Sequence, residues 1–343
     1  MVVTNDSRSV GIGSSVEDGL RILRLPCYPL LDGRLPLAKK DSDFNFLMDE
    51  LSHEHWDGVL VNTRLFQLSL IGLDFARSQG AKAVVLDHGS AYLSFGQPIL
   101  DILVRRYEDA ITARVKSYAP VFFGVSSKSV EWLRHFEISA KGVLSNSIHA
   151  EEYRDKASAR DFRRELGIAT DAFMIAFLGR LIPEKGINSL IEASRSEELR
   201  ERGAVFVLAG DGPLADEVRV SAGPYLQWVG RCSSEDASAL LQQADVLCLP
   251  TRSEGFSTVL LEASACGTPS IVTDVGGARE LIPDGDYGTI IESMDTGCVI
   301  DAVCRLCDDR ELLARQSKNS QKLVELDYSW GTTARQVEMA FSA

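Results

Sequence analysis

The chain has 343 residues, of which 45% are hydrophobic and 25% charged, the balance of a soluble globular protein long enough for two domains of roughly 150 residues. Its net charge of −13 is uneven: residues 1–150 carry 16 Lys/Arg and 17 Asp/Glu, the remainder 20 and 32. The acidic second half argues against nonspecific nucleic-acid binding, while the near-neutral first half would tolerate an anionic membrane better than the second.

The elements expected in the first half alternate short apolar runs with longer amphipathic stretches. Strands are expected at Val2–Thr4, Arg21–Leu25, Val59–Asn62, Ala83–Leu86, Val121–Val125 and Gly142–Asn146. Helices are expected at Phe44–Leu51, Leu68–Ser78, Ile99–Tyr118 and Ser127–His135. Pro26–Lys40, rich in Pro, Leu and Gly without a period, reads as a long loop. Residues 147–165 are polar and charged with no strand pattern, and the domain boundary is placed there. The second half gives strands at Met174–Leu178, Val205–Ala209, Leu226–Val229, Val246–Leu249, Ser270–Thr273 and Thr289–Ile291. Between them run helices at Ile187–Ser194, Leu214–Ala222, Glu235–Gln243, Thr258–Cys266 and Ala278–Leu281. These strands are apolar throughout, as in a parallel sheet covered on both faces. Glu311–Leu326 and Trp330–Phe341 read as terminal helices, Ser329 capping the last. The fold class is α/β, two Rossmann-like doubly wound parallel-sheet domains in tandem, with ligands expected at the carboxyl ends of strands.

No apolar run approaches the ~20 residues of a membrane span. Met1–Arg8 has no signal-peptide layout, and seven cysteines is an odd number for a secreted framework. The expected compartment is the cytoplasm. Cys27, Cys248 and Cys266 lie in apolar stretches and read as inert. Cys304-Arg-Leu-Cys307 is a lone C-x-x-C in a helical pattern, read as helix packing rather than a zinc or redox pair. His53-Glu-His55 has the wrong spacing for two ligands on one helix face, so no metal site is read.

Several strand ends carry chemistry. Val84–Ser90 ends a strand with His88 and Gly89; the imidazole either faces a cleft or caps a loop, and position alone leaves both open. In Phe177–Gly186, Gly179 lets backbone approach a ligand, and Arg180 and Lys185 set two cations beside the turn, suited to a pyrophosphate. The alternative is a surface loop with salt-bridged charges. Leu208–Pro213 reads as a well-formed turn with no ligand contact from Asp211, and Gly276-Gly277 either offers backbone N–H groups at a helix start or is a tight turn. The run Ser253-Glu-Gly-Phe-Ser-Thr-Val-Leu-Leu-Glu-Ala263 is the most informative. Glu254 lies in a loop after a buried strand, and a helix starts at Ser257 or Thr258, so Glu262 falls on its second turn. Both carboxylates and the free N–H groups of the helix start can face one small volume, suited to a ligand with hydroxyls on both sides of a phosphate. Alternatively Glu254 complements the helix dipole and Glu262 is solvated. Its apolar neighbours Leu260, Leu261, Ala263 and Ala265 favour the functional reading.

Taken together, Gly179-Arg180 with Glu184-Lys185-Gly186, Ala209–Pro213, Glu254 through Glu262, Gly267-Thr-Pro269, Gly276-Gly277 with Glu280, and Asp87-His-Gly89 resemble glycosyltransferase family 4, retaining enzymes of the GT-B architecture. The order and spacing agree over residues 58–291, and the pair of glutamates with seven residues between them is the specific part. The resemblance implies two domains facing across a cleft: an acceptor-side domain over 1–147, a nucleotide-sugar-binding domain over 148–327, and a helix over 328–343 that returns to the first. It implies that Arg180 and Lys185 hold a pyrophosphate. Glu262 would bind ribose hydroxyls, and Glu254 the transferred sugar. Gly179, Gly255 and the N–H groups of Phe256, Ser257 and Thr258 would line the donor. His88 would stand beside the reaction centre, giving a catalytic set of His88, Arg180, Lys185 and Glu254. Leu30–Pro36 and His88–Phe95 look most like enzymes of bacterial surface polysaccharide and glycoconjugate synthesis, and Pro26–Lys40 is the implied acceptor-side loop. The family pattern also has a strand and glycine-rich loop ahead of Val2–Thr4. Gly11-Ile-Gly13 comes after that strand and does not replace it, so the first domain is expected to be N-terminally incomplete.

The expected function is retaining, metal-independent transfer of a sugar from a nucleotide-diphosphate donor to a saccharide or lipid-linked saccharide hydroxyl. No cofactor, metal or nucleic acid is involved, and peripheral membrane contact through the first domain is allowed. Rival expectations are a nucleotide-sugar epimerase or sugar phosphorylase on the same fold, or a non-catalytic truncated nucleotide-sugar-binding protein. A dinucleotide-dependent dehydrogenase is disfavoured, since no G-x-G-x-x-G opens a helix after a strand with an acid about 20 residues on.

Overall fold

The structure, a computed structural model, describes residues 1–31, 33, 35–94 and 97–342. The chain forms two compact units, one of Met1–Gly124, Ser129–Val143 and Val337–Ala343, the other of Val125–Lys128 and Leu144–Gln336. No described helix is long and apolar enough to cross a membrane.

In the first unit the elements run β1 (Val2–Asn5), β2 (Gly13–Glu17), β3 (Leu20–Leu25), β4 (Cys27–Leu30), β5 (Leu35–Ala38), α1 (Ser42–Ser52), β6 (Gly58–Asn62), α2 (Gln67–Gln79), β7 (Lys82–Asp87), α3 (Pro98–Lys116), β8 (Val121–Gly124) and α4 (Ser127–His135). Local chemistry explains several boundaries. Asp41 caps α1 by accepting from the Phe44 N–H. Pro98 opens α3, with Asp101 in its first turn and Arg114 and Lys116 in its last, matching the helix dipole at both ends. The strands form two three-stranded sheets, β1-β3-β2 and β6-β7-β8, the second wholly parallel. Helix α2 joins their cores. Its Ile71 packs with Leu23, Leu25, Phe44, Leu47 and Leu51, and its Leu73 with Val61, Val85, Val115, Phe122 and Leu133.

Two expectations fail here and one strand goes unpredicted, each for an identifiable reason. The segment Pro26–Lys40 contains a hairpin, β4 pairing β5 with Pro29 opposite Pro36. Two prolines hid the strand pattern, yet proline suits a short two-stranded ribbon with open edges. Asp32 and Arg34 of that segment, and Phe95 of His88–Phe95, lie outside the described residues. Strand β2 is antiparallel to β3 and largely exposed, so Gly13–Glu17 has no buried face to impose a hydrophobic period. Gly142–Asn146 forms no strand; Val143 makes a single parallel bridge to Gly124, and the second unit starts again at Leu144.

The second unit runs α5 (Ala150–Asp155), α6 (Phe162–Glu165), β9 (Phe173–Leu178), α7 (Ile187–Ala193), α8 (Glu197–Glu201), β10 (Ala204–Ala209), α9 (Ala215–Ser221), β11 (Leu226–Gly230), α10 (Ser234–Gln243), β12 (Val246–Leu249), α11 (Thr258–Ala265), β13 (Ser270–Thr273), α12 (Ala278–Leu281), β14 (Thr289–Ile291), α13 (Thr296–Asp308), α14 (Arg310–Asp327) and α15 (Trp330–Ser342), whose last residues belong to the first unit. The polar stretch 147–165 is thus not bare linker, since α5 and α6 bury Tyr153 and Phe162. The six strands form one parallel sheet in the order β11-β10-β9-β12-β13-β14. Every residue of β9, β10, β12 and β13 is buried, the signature of a sheet covered on both faces.

That strand order places the site. The chain steps outward from β9 to β10 to β11, then crosses back to β12 on the other flank of β9. The carboxyl ends of β9 and β12 therefore flank a crevice where successive crossovers depart in opposite directions, the position at which such sheets bind ligands.

Candidate active site

Two loops leave the sheet at that crevice. After β9 come Gly179, Arg180 and a 3₁₀ turn, Pro183–Lys185; after β12 come Pro250–Ser257 and helix α11. They are tied by backbone: the Arg252 N–H donates to the Glu184 carbonyl at 2.8 Å, and Thr251 Oγ1 donates to it at 3.1 Å. Gly186 closes the turn at φ +70°, where a Cβ would come within 2.3 Å of the Pro250 carbonyl oxygen. Across the join Lys185 Nζ meets Glu254 Oε2 at 2.5 Å, with about a fifth of the lysine and a quarter of the glutamate side chain exposed. The cation from one loop and the carboxylate from the other thus share one spot at the switch point. The Glu254–Phe256 loop is held from beneath as well. Ser126 Oγ donates to the Gly255 carbonyl at 3.0 Å, Asn146 Nδ2 to the Phe256 carbonyl at 3.4 Å, and the Phe256 ring is buried against Tyr328.

The turns after β9, β10 and β11 line an open cavity of about 740 Å³. Gly179 and Arg180 line it from β9, Gly210–Pro213 from β10, and Arg231 and Cys232 from β11. The loops are stitched together: the Leu181 N–H donates to the Asp211 carbonyl at 2.9 Å, and the Gly210 N–H to the Gly230 carbonyl at 2.7 Å. Asp211 accepts from the N–H of Gly212 at 2.8 Å, the turn role expected of it. The rim therefore offers two guanidinium groups against one turn-bound carboxylate, a net positive mouth suited to an anionic ligand.

Residues 158–323 match the family model described as Glycosyl transferases group 1. That stretch, just under half of the chain, is similar to a group 1 glycosyltransferase domain. Over 276 residues it is 28% identical to the alpha-D-kanosaminyltransferase of Streptomyces kanamyceticus, a match spanning 76% of this chain and 70% of that protein. Over 201 residues it is 31% identical to the D-inositol 3-phosphate glycosyltransferase of Corynebacterium efficiens, spanning 55% of this chain and 46% of that relative, so the match takes in about half the relative's length. Among solved structures it is similar to Anabaena HepE in complex with UDP, with a TM-score of 0.71, 19% identity, and coverage of 94% of this chain and 86% of that one. The likeness shows the fold, mixed α/β of the GT-B type.

Within the matched residues 158–323 the expected site residues are only partly brought together. Lys185 and Glu254 meet, whereas Gly179 and Arg180 line the 740 Å³ cavity, which neither of that pair lines. Gly255 and buried Phe256 and Ser257 form the loop between them and α11. Thr258 and Glu262 instead line a second cavity of about 300 Å³, with His149, Tyr153, Lys156, Ser234 and Trp330 among its walls. Glu262 thus lines this second cavity while Glu254, paired with Lys185, lines neither of the two, so the carboxylates do not share one small volume there. Helix α11 turns Glu262 toward α5, where it lies beside the Tyr153 hydroxyl short of an aligned hydrogen bond. Burial pushes the Glu262 carboxyl above its ordinary pKa, opposed by the Tyr153 hydroxyl and the Lys156 charge. A carboxyl so placed is a strong acceptor for a hydroxyl or an N–H that would restore its lost solvation. Ser234, in the first turn of α10, lines this cavity, while Ala237, one turn on, lines the larger one.

In the first unit His88 follows the last residue of β7. Its Nε2 lies 3.1 Å from Asn62 Oδ1. Part of the ring reaches solvent, but crowding around the imidazole lowers its pKa from the ordinary value, the Asp87 charge acting the other way. Below it sits a group that sequence reasoning missed: Arg64, fully buried, bridges both oxygens of Asp87 at 2.8 Å and Glu108 Oε1 at 2.5 Å. Arg231 was missed too. Both follow a strand that the sequence did reveal, and the rule that ligands gather at carboxyl ends of strands, applied to every strand, points to each. Among the described residues no group of three or more His, Cys, Asp or Glu is placed to hold a metal ion.

Proposed function

We propose that the protein transfers a sugar from a nucleoside diphosphate donor to a hydroxyl acceptor with retention of configuration, as in polysaccharide or glycoconjugate synthesis. The observation that carries this reading is the join of two loops at the sheet's switch point, with Lys185 on Glu254 and Arg180 on the 740 Å³ cavity, within the stretch similar to a group 1 glycosyltransferase domain. HepE, which shares the fold, holds UDP and UDP-glucose in its own structures, which supports a nucleoside diphosphate donor.

The chemistry is electrostatic. When the bond from the anomeric carbon to the phosphate oxygen breaks, negative charge grows on the leaving diphosphate. Arg180 and Lys185 stabilise that charge where it develops, with the N–H groups at the start of α11. With a donor bound, Lys185 turns from Glu254 toward phosphate, and Glu254 is released to accept from hydroxyls of the transferred sugar. Glu262 takes the ribose hydroxyls, and His88 stands beside the reacting sugar. The acceptor oxygen attacks from the face the phosphate leaves, and its proton passes to that phosphate. The bond made and the bond broken are both at the anomeric carbon, so no covalent enzyme intermediate is needed. The acceptor, a saccharide or lipid-linked saccharide, belongs to the first unit.

A screen of nucleoside diphosphate sugars tests this, reading released nucleoside diphosphate with and without glycoside acceptors and the product anomer by proton NMR. Acceptor-dependent release with the donor's anomeric configuration is expected. Epimerised donor without any acceptor, or phosphate-dependent turnover, would replace this reading with an epimerase or a phosphorylase.

A further inference from the structure

We propose that Asn62 is a positioning residue that fixes His88 in one tautomer, with Nε2 protonated and Nδ1 left as the acceptor nitrogen. The inference rests on the reading of His88 as a site residue and adds to it the group that sets its hydrogen-bonding sense.

The argument starts from β6 and β7, which end side by side with Asn62 opposite Leu86. Three consecutive residues at the end of β6 reach three groups at the end of β7. The Thr63 N–H donates to the Leu86 carbonyl at 2.7 Å, Arg64 grips both Asp87 oxygens at 2.8 Å, and Asn62 Oδ1 stands 3.1 Å from His88 Nε2. Thr63 takes φ +62° to allow this, an unfavoured conformation for a β-branched residue. Such strain is kept where surrounding structure enforces it, and here it turns the chain so that Arg64 goes inward while Asn62 stays at the surface. Neither Arg64 nor Asp87 has any exposed side-chain surface. A buried ion pair adds little net stability over an apolar replacement, so its effect here is geometric: it ties the end of β6 to Asp87, the residue before His88.

The tautomer follows from donor rules. An amide oxygen only accepts, so the ring nitrogen facing Asn62 Oδ1 carries the proton. In a neutral imidazole the other nitrogen then has the lone pair. Loss of hydration lowers the His88 pKa and so favours the neutral ring, while the neighbouring Asp87 is paired with Arg64, which also meets Glu108, in a buried cluster. The result is an oriented acceptor nitrogen able to take a hydrogen bond from a sugar hydroxyl. A histidine with both tautomers populated would offer a donor part of the time and lose that discrimination.

The test labels histidine with ¹⁵N in the full-length protein and reads the imidazole nitrogens by long-range ¹H–¹⁵N correlation above the His88 pKa, with His88→Gln to assign the signals. The expected spectrum has a protonated Nε2 and an unprotonated Nδ1. In Asn62→Ala both nitrogens move toward exchange-averaged positions, kcat falls about tenfold as one orienting hydrogen bond is lost, and the donor KM stays within about twofold. Asn62→Asp, which keeps an acceptor, retains the protonated Nε2. A wild-type Nδ1–H tautomer, an Asn62→Ala spectrum identical to wild type, or loss of the tautomer in Asn62→Asp would overturn the proposal. Because the spectrum needs no substrate, a clean tautomer with no glycosyl transfer would count against the function and not against Asn62.

Discussion

Arg64 shows how a single side chain can organise a strand end while adding little to net stability. It is fully buried with Asp87 and Glu108, one cation against two carboxylates. Burial holds the Glu108 carboxyl above its ordinary value of 4.5, opposed by Arg64 and the Leu93 N–H. Removing the cation leaves uncompensated buried acid, so Arg64→Met should cost about 3–5 kcal/mol in urea unfolding at pH 7. Glu108→Gln should cost less than about 1 kcal/mol, because the site already favours an uncharged group there. The pH dependence has a definite sign. A carboxyl raised on folding contributes stability fully below its ordinary pKa, and that contribution is lost as pH rises through the folded value. Glu108→Gln should therefore gain on wild type as pH rises from the ordinary carboxyl value of 4.5 toward neutrality in paired unfolding curves; a parallel pair of curves would refute the raised carboxyl. Sequence alone does not reveal such a cluster, since Arg64, Asp87 and Glu108 come from three elements with no fixed spacing. Lys185 and Glu254 were readable because each lies in its own recognisable loop motif. What the motifs could not give was the facing of Glu262, which depends on how α5 packs over α10 and α11.

At the scale of elements, the turns after β9 and β10 are built from backbone in near contact. Gly210 has φ +145°, and a Cβ there would fall 1.8 Å from the Gly179 carbonyl oxygen. Gly210→Ala should therefore force the two turns apart, costing more than about 2 kcal/mol and reshaping the cavity that Arg180 lines. Gly297 makes the opposite case. It lies in the first turn of α13, and a Cβ added there would have no neighbour within 4 Å. Gly297→Ala should stabilise by about 0.4–1 kcal/mol, read as a shift in denaturation midpoint at constant slope. Legibility followed burial. Most strands of the second unit are short, predominantly apolar and buried, and the sequence located β12, β13 and β14 to the residue. The first unit yielded less where no buried face enforces a period, as in β2 and the β4–β5 hairpin. Gly142–Asn146 erred the other way, its short apolar run serving a single bridge where the chain passes to the second unit.

For the whole molecule, two α/β units divide the chain, and the parallel order of the second sheet accounts for where two loop motifs must meet. A sheet that reverses its direction of growth beside β9 leaves the turns after β9 and β12 as neighbours whatever their sequences. This chain has put a lysine on one and a glutamate on the other. The central claim is that this junction stabilises a departing nucleoside diphosphate. The most direct measurement is the acceptor-dependent rate of nucleoside diphosphate release by Lys185→Ala against wild type, with melting curves for both. The account predicts a loss of about 10²–10³-fold in kcat with an unchanged melting profile. A folded Lys185→Ala protein that turns over at the wild-type rate would contradict it.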